Sequence, residues 1–173
     1  MTMTMTRWPS ASQTVGPFFN PPIKLAGFDE AFPDTNPLTL TGRLLDGAGA
    51  PIGDAMIEAW QADPSGSLKT PDGRGFSSGF ARVCTDKEGR FTIHTQAPGA
   101  VEGEAPHLVV TVFARGLLRH LFTHVYLAAD AHDAVQTLAG ARAATMIATQ
   151  QNAQTYTWDI HLQGAQETVF FDF

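Results

Sequence analysis

The chain has 173 residues, of which 43% are hydrophobic and 16% charged, enough apolar material for the core of one ordinary domain and too few charges for a disordered chain. Its net charge of −6, with only 11 Lys and Arg residues, argues against a nucleic-acid partner, because phosphate binding needs a basic surface. The lone Cys84 cannot form an internal disulfide, no run approaches the ~20 apolar residues of a membrane span, and MTMTMTRW lacks the apolar region of a signal peptide. A cytoplasmic protein without membrane contact is therefore expected.

Segments with strand character follow one another along most of the chain. Residues 38–45 alternate with period two and run into a Gly/Pro turn at 46–53. Further strands are predicted at 56–60, 80–84, 90–94, 106–113, 120–127, 156–162 and 168–173. The short segment 85–89 predicts a hairpin-like connection between two of them. Many short strands at near-regular spacing predict an all-β protein, a sandwich or a barrel.

The segment 130–151 departs from this pattern. Residues 131–138 predict a short helix with Asp130 near its start, and residues 141–151 predict a second helical or irregular piece. The chain has no internal repeat and no low-complexity linker. Residues 21–173 are therefore expected to form one domain, with 130–151 as a helical or irregular insertion.

Considered one by one, the residues supply no complete catalytic set. His120 and His124 lie four apart, which on a strand separates them by ~13 Å, too far to share a metal ion. Chelation from a strand needs an H-x-H pair, and the residue two after His107 is Val109. Cys84 has no flanking histidine and is most simply a structural thiol. No G-x-S-x-G nucleophile motif is present.

Five segments in chain order nevertheless resemble a known family. They read SQTVGPFF at 12–19, IEAWQAD at 57–63, APHL at 105–108, FARGLL at 113–118 and ETVFFDF at 167–173. Together they resemble the intradiol ring-cleavage dioxygenases, and the FARG and ETVFFDF segments are most similar to the alpha chains of the family's two-chain enzymes. The resemblance implies an all-β fold, a β-sandwich of the intradiol dioxygenase type.

The family holds a non-haem ferric ion with two tyrosines and two histidines, because hard phenolate oxygens stabilise Fe(III). In this sequence the corresponding positions read Leu68, Val101, His107 and Val109. Only His107 is retained, and the two tyrosines of the chain fall at neither tyrosine position. The resemblance therefore implies that this chain supplies no catalytic residue and no metal ligand set of its own.

The resemblance further implies a role as the non-catalytic alpha subunit of a hetero-oligomer. A homologous beta subunit would hold the Fe(III), and the complex would cleave protocatechuate with O2 to 3-carboxy-cis,cis-muconate. Residues 1–20 would form an N-terminal arm that contacts the partner, with Thr14, Gly16 and Pro17 at the mouth of the partner's pocket.

One more residue is implied in that pocket. The related alpha chains have an arginine in a T-R-x-Y segment, and this sequence reads Thr-His-Val-Tyr at 123–126. His124 thus replaces the arginine, where it could donate a hydrogen bond when neutral or attract a carboxylate when protonated. It could equally be an ordinary strand residue.

Two other functions remain open from the sequence. The chain could be a stand-alone, non-enzymatic β-sandwich that serves as a binding or adaptor module derived from the same family. More remotely, it could be a homo-oligomeric enzyme that uses other residues. A stable, soluble monomer would favour the module, whereas the apolar arm and the ETVFFDF terminus favour contact with a partner.

Overall fold

The computed structural model describes residues 29–32, 37–68, 79–127 and 132–171, with the side chains of 132–134 left out. The predicted arm at 1–20, with Thr14, Gly16 and Pro17, lies outside the described residues. No helix in the described part of the chain is long and apolar enough to cross a membrane.

Two β-sheets pack face to face. The strands are β1 (Leu38–Leu45), β2 (Met56–Trp60), β3 (Phe80–Cys84), β4 (Arg90–Thr95), β5 (Leu108–Phe113), β6 (Leu121–Val125), β7 (Thr149–Asn152), β8 (Thr155–Thr157) and β9 (Ile160–His161). The first sheet has the order β4-β1-β8-β7, with β9 also paired to β1, and the second has the order β3-β2-β5-β6. The predicted all-β sandwich is thereby confirmed.

The core lies between the sheets and follows from the alternation of each strand. On β5 the residues Leu108, Val110 and Val112 are fully buried, whereas the residues between them are partly exposed. The first sheet contributes side chains such as Leu40 and Ile93 to the same core. The outer face of β5 therefore carries Val109, one of the positions at which the family places an iron ligand.

The predicted hairpin at 85–89 is wrong. β3 pairs with β2 in the second sheet, whereas β4 pairs with β1 in the first. The side chain of Asp86 accepts hydrogen bonds from the backbone N–H groups of Glu88 (3.0 Å) and Arg90 (2.8 Å). The resulting tight turn carries the chain from one sheet to the other. β3 and β4 therefore face each other across the core instead of pairing as neighbouring strands.

The strand predicted at 156–162 is divided in two. β8 and β9 both run parallel to β1, pairing Thr41 with Thr157 and Leu44 with Ile160. Between them the backbone N–H of Arg43 donates to the Asp159 carboxylate at 2.9 Å instead of to a backbone carbonyl. A side chain thus interrupts the ladder without changing its register.

The strand predicted at 168–173 does not form in the described residues. Only one bridge occurs there, between Phe171 and Phe122 of β6. The segment instead delivers Val169 to a small second core and Phe171 to the surface of the second sheet.

The insertion is helical in its first part. Helix α1 spans His132–Ala139, and a 3-10 helix spans Gly140–Met146. The end of the predicted segment is instead the edge strand β7. Val135, Ala143 and Met146 pack with Tyr126 in the second core, which places the helical segment beside the end of β6.

Candidate functional site

The four positions at which the family places its iron ligands converge in the structure. Leu68, Val101, His107 and Val109 all line one cavity of about 300 Å³, here called the first cavity. Trp60 and Gln61, at the end of β2, complete much of its wall. The sequence places these four residues in three separate segments, so their meeting is a property of the fold.

Two loops that carry Leu68 and Val101 are held together by backbone hydrogen bonds. The carbonyl oxygen of Asp63 accepts from the N–H groups of Gly66 (2.9 Å) and Gly99 (3.0 Å). A Cβ atom at Gly99 would collide with the backbone of Gly66, which itself has a φ of +80°. Only glycine allows this approach, so the QADPSGS and APGA segments fix both loops at the cavity.

The cavity's most buried polar side chain, Gln61, is fully engaged by the protein. Its Oε1 accepts from the hydroxyl of Thr95 at 2.5 Å, and its Nε2 donates to the carbonyl of Gln96 at 2.9 Å. These bonds tie the end of β2 to the end of β4 across the sandwich. Gln61 is therefore a structural residue rather than a free donor for a ligand.

His107 lies between the first cavity and a second group of aromatic residues. Its Nδ1 is 2.8 Å from the carbonyl oxygen of Ala105, and because a carbonyl only accepts, Nδ1 carries the proton. In the neutral ring Nε2 then has the free lone pair, and it lies 3.7 Å from the carboxylate of Glu104. The ring stacks on His124, with centroids 4.2 Å apart and planes inclined by 19°.

The strand register explains this stack. Val109 pairs directly with His124 across β5 and β6, and His107 lies two residues before Val109 on the same face. The two imidazoles are therefore diagonal neighbours on the outer face of the second sheet, a spacing within reach of ring side chains.

A second cavity, of about 450 Å³, opens on the His124 side of the stack. Tyr126 and Phe171 line it together with His124, and α1 contributes Thr137 and Leu138. The Nδ1 of His124 is 3.4 Å from the hydroxyl of Tyr126. His124 is thus not an isolated strand residue but the centre of an aromatic cluster at a cavity mouth.

The protonation of this cluster is shifted by its surroundings. Burial, and secondarily the nearby His107, lower the pKa of His124 to about 4. Burial also raises the pKa of Tyr126, with a further contribution from the Glu104 carboxylate. At neutral pH His124 therefore offers a neutral imidazole to the second cavity, and not a cation.

This shift predicts an acid-sensitive stability. The unfolded chain takes up a proton on His124 below its ordinary pKa of 6.5, whereas the folded chain does so only near pH 4. The contribution of neutral His124 to the free energy of unfolding is therefore fully present above pH 6.5 and is lost as the pH falls from 6.5 to about 4. The loss amounts to ~1–2 kcal/mol after allowance for the ring's partial exposure. Urea unfolding at pH 7.5 and 4.5 measures the loss.

A pair of variants isolates the contribution of His124. His124→Gln is expected to unfold with a flatter pH dependence than the parent chain. His120→Gln, at an exposed histidine just before β6, is expected to retain the parent's dependence. Equal pH slopes for His124→Gln and the parent would show that another group carries the effect.

The first cavity does not fit a ferric ion. The groups in it that could bind a metal ion are one imidazole and one largely exposed carboxylate, and the other ligand positions carry hydrocarbon side chains. Ferric iron prefers hard oxygen ligands together with imidazole, in a complete shell. Among the residues that the structure describes, no three His, Cys, Asp or Glu side chains lie close enough to hold a metal ion.

Three residues of the site were not identified from the sequence. Tyr126 closes the cluster because it follows His124 by two residues on the same face, and that spacing was the available signal. Glu104 and Phe171 reach the site from a loop and from the C-terminal segment, and no local pattern indicates this. Thr14, Gly16 and Pro17 lie outside the described residues.

Comparisons with known proteins agree with this architecture. A family model described as a dioxygenase matches residues 22–164. The protocatechuate 3,4-dioxygenase alpha chain of Burkholderia cepacia is 40% identical over an alignment 192 positions long, which covers 93% of this chain and 95% of that one. The beta chain from the same organism is 31% identical over 107 residues, covering 54% of this chain and 45% of that one.

A solved structure shows the same fold. The dioxygenase domain of a carbohydrate-binding fusion protein from Streptomyces sp. SirexAA-E matches with a TM-score of 0.66 at 23% identity, covering 91% of this chain and 99% of that chain. The chain therefore belongs to the intradiol ring-cleavage dioxygenase family, which confirms the resemblance seen in the sequence. Within the family it is similar over nearly its whole length to a protocatechuate 3,4-dioxygenase alpha chain, and over about half its length to a beta chain.

Proposed function

We propose that this chain is the non-catalytic alpha subunit of a heteromeric protocatechuate 3,4-dioxygenase. It assembles with a homologous beta subunit that holds the Fe(III), and it completes the substrate pocket. The complex cleaves protocatechuate with O2 to 3-carboxy-cis,cis-muconate. The observation that carries the proposal is the first cavity, where the four family ligand positions meet and only His107 remains a donor.

The exposed surface supports assembly with a partner. The large apolar side chains exposed in the described part of the chain are Trp60 (43%), Leu68 (56%), Leu118 (78%) and Leu138 (52%). Trp60 and Leu68 border the first cavity, and Leu138 borders the second. Apolar side chains concentrated around cavities are typical of interaction sites.

We assign His124 to the substrate pocket of the assembled enzyme, together with Thr14, Gly16 and Pro17 of the arm at 1–20. The second cavity supports this assignment for His124, since it is open, lined by aromatic residues, and offers a neutral hydrogen-bonding ring. We place the complex in the cytoplasm, where a chain with a single cysteine, here Cys84, and no disulfide is typical.

The proposal predicts a sharp contrast between the chain alone and the complex. The purified chain is expected to contain far less than one iron per molecule and to leave protocatechuate and O2 unconsumed. Co-expressed with a beta-type chain that carries both tyrosines and an H-x-H pair, it is expected to yield an iron-containing complex that consumes both. Metal analysis, an oxygen electrode and light scattering measure these outcomes.

Two other results would each support a different function. One tightly held iron in the isolated chain, with dioxygenase activity, would establish a self-sufficient enzyme. A stable monomer that fails to associate with any beta-type chain would establish a stand-alone module. Either result would overturn the alpha-subunit assignment.

A further inference from the structure

The first cavity lies where the family binds iron, yet its residues do not form an iron site in this chain. It is not filled in, although its ligand positions carry hydrocarbon side chains, and it keeps a volume of about 300 Å³. Cavities of this size accommodate small organic ligands, and an apolar cavity of even half that volume binds a single aromatic ring. The retained space therefore admits a small ligand.

The walls define the kind of ligand. Val101, Val109 and Leu68 provide aliphatic surface, and Trp60 provides an aromatic face. Trp60 already meets Phe80 edge-on, with ring centroids 5.5 Å apart, which holds the indole in place. Such a lining favours a flat, apolar ring, because offset or edge-on contacts with an aromatic face add to the burial of apolar area.

The polar groups add one hydrogen-bonding requirement. Gln61 is already engaged by Thr95 and Gln96, so the polar groups left to meet a ligand are the largely exposed carboxylate of Glu104 and the imidazole of His107. Its Nδ1 proton is committed to the carbonyl of Ala105, and the neutral ring therefore offers Nε2 as an acceptor. The ligand must supply a donor, as a hydroxyl does.

Charge disfavours one large class of aromatic ligands, the acids. The carboxylate of Glu104 lines the same cavity and lies 3.7 Å from Nε2 of His107. A second carboxylate brought to Nε2 would face Glu104 at close range, and repulsion between the like charges disfavours it although the Glu104 side chain is 67% exposed. The cavity therefore disfavours aromatic acids.

We propose that the first cavity is a non-catalytic binding site for a small neutral phenol, whose hydroxyl donates to Nε2 of His107 while its ring packs between Trp60 and the valines. The site lies on the other side of the imidazole stack from the second cavity, and Glu104 lines both. Its test uses this chain alone and does not depend on the proposed assembly.

Fluorine NMR on the full chain at pH 8 tests the proposal with three matched probes. 4-Fluorophenol is expected to broaden and shift on addition of protein, and 4-fluorobenzoate is expected to remain unaffected. His107→Phe, which keeps a ring in the stack, is expected to weaken 4-fluorophenol binding about fivefold, the effect of one neutral hydrogen bond. The same variant should leave the affinity of 4-fluorotoluene unchanged or increased.

Filling variants locate the site. Val101→Phe and Leu68→Trp are both expected to abolish binding of 4-fluorophenol. Because Leu68 is exposed, a loss of binding in Leu68→Trp would not be due to misfolding. Leu138→Ala, in the second cavity, is the matched control and should bind like the parent chain. Binding of 4-fluorobenzoate as tight as that of 4-fluorophenol, or phenol binding that survives both filling variants, would overturn the proposal.

Discussion

Replacing Gly42 by alanine is expected to lower the free energy of unfolding by about 3 kcal/mol, the upper end for overpacking a core. Gly42 is buried in the middle of β1, where the chain passes β8 and β9. A Cβ atom there would run into the carbonyl oxygen of Trp158 and would lie 2.8 Å from Cζ of Phe91. Because the first obstacle is backbone between β8 and β9, held by the hydrogen bond from the Trp158 N–H to the carbonyl oxygen of Thr41, it cannot move aside as a side-chain tip would.

Urea unfolding of Gly42→Ala measures this loss, and Gly49→Ala is its control. Gly49 has a φ of +80° with nothing within 4 Å of the added Cβ, so alanine there incurs only the left-handed backbone penalty of about 1 kcal/mol. Equal losses for the two variants would mean that the sandwich adjusts at Gly42 and that the contact with Trp158 does not set the packing.

Replacing His124 by arginine is expected to lower KM for protocatechuate about tenfold in the assembled complex, with little change in kcat. A hydrogen bond to a charged group stabilises more than a neutral one, and His124 is neutral at neutral pH because burial lowers its pKa to about 4. A guanidinium keeps its charge in the same place. His124→Ala, which leaves no donor, is expected to raise KM about fivefold.

Iron content and a second cavity residue serve as controls for this pair. Both His124 variants should contain as much iron as the parent complex, since His124 is not proposed as a ligand. Leu138→Ala, at the rim of the same cavity, should leave KM within about twofold, because it removes an apolar contact and no donor. Unchanged KM in both His124 variants would show that the ring does not meet the substrate.

The sandwich was predictable because its strands alternate. The segments 38–45, 56–60 and 80–84 form strands with the predicted bounds, since period-two patterns report which face is buried. The pattern does not report which strands pair. The connection at 85–89 has the composition of a hairpin, yet β3 and β4 belong to different sheets. Each strand buries its apolar face by packing against the other sheet, so the two strands need not pair with each other.

The candidate site was predictable in its residues and not in its geometry. The family resemblance singled out Leu68, Val101, His107 and Val109, and the structure brings them to one cavity. The stacking of His107 on His124 depends on the register of β5 against β6, which short-range patterns do not determine. The lowered pKa of His124 depends in turn on that burial, so its charge state could not be decided from the sequence.

The hydrogen bonds that converge on Asp63 have a consequence for how such a chain can be produced. They hold the two loops of the first cavity in place with protein groups alone, whereas many metal sites gain part of their folding free energy from the ion. We therefore expect this chain to reach its native state in an iron-starved cell. Scarcity of iron would then limit the number of working enzymes without removing this subunit from the pool.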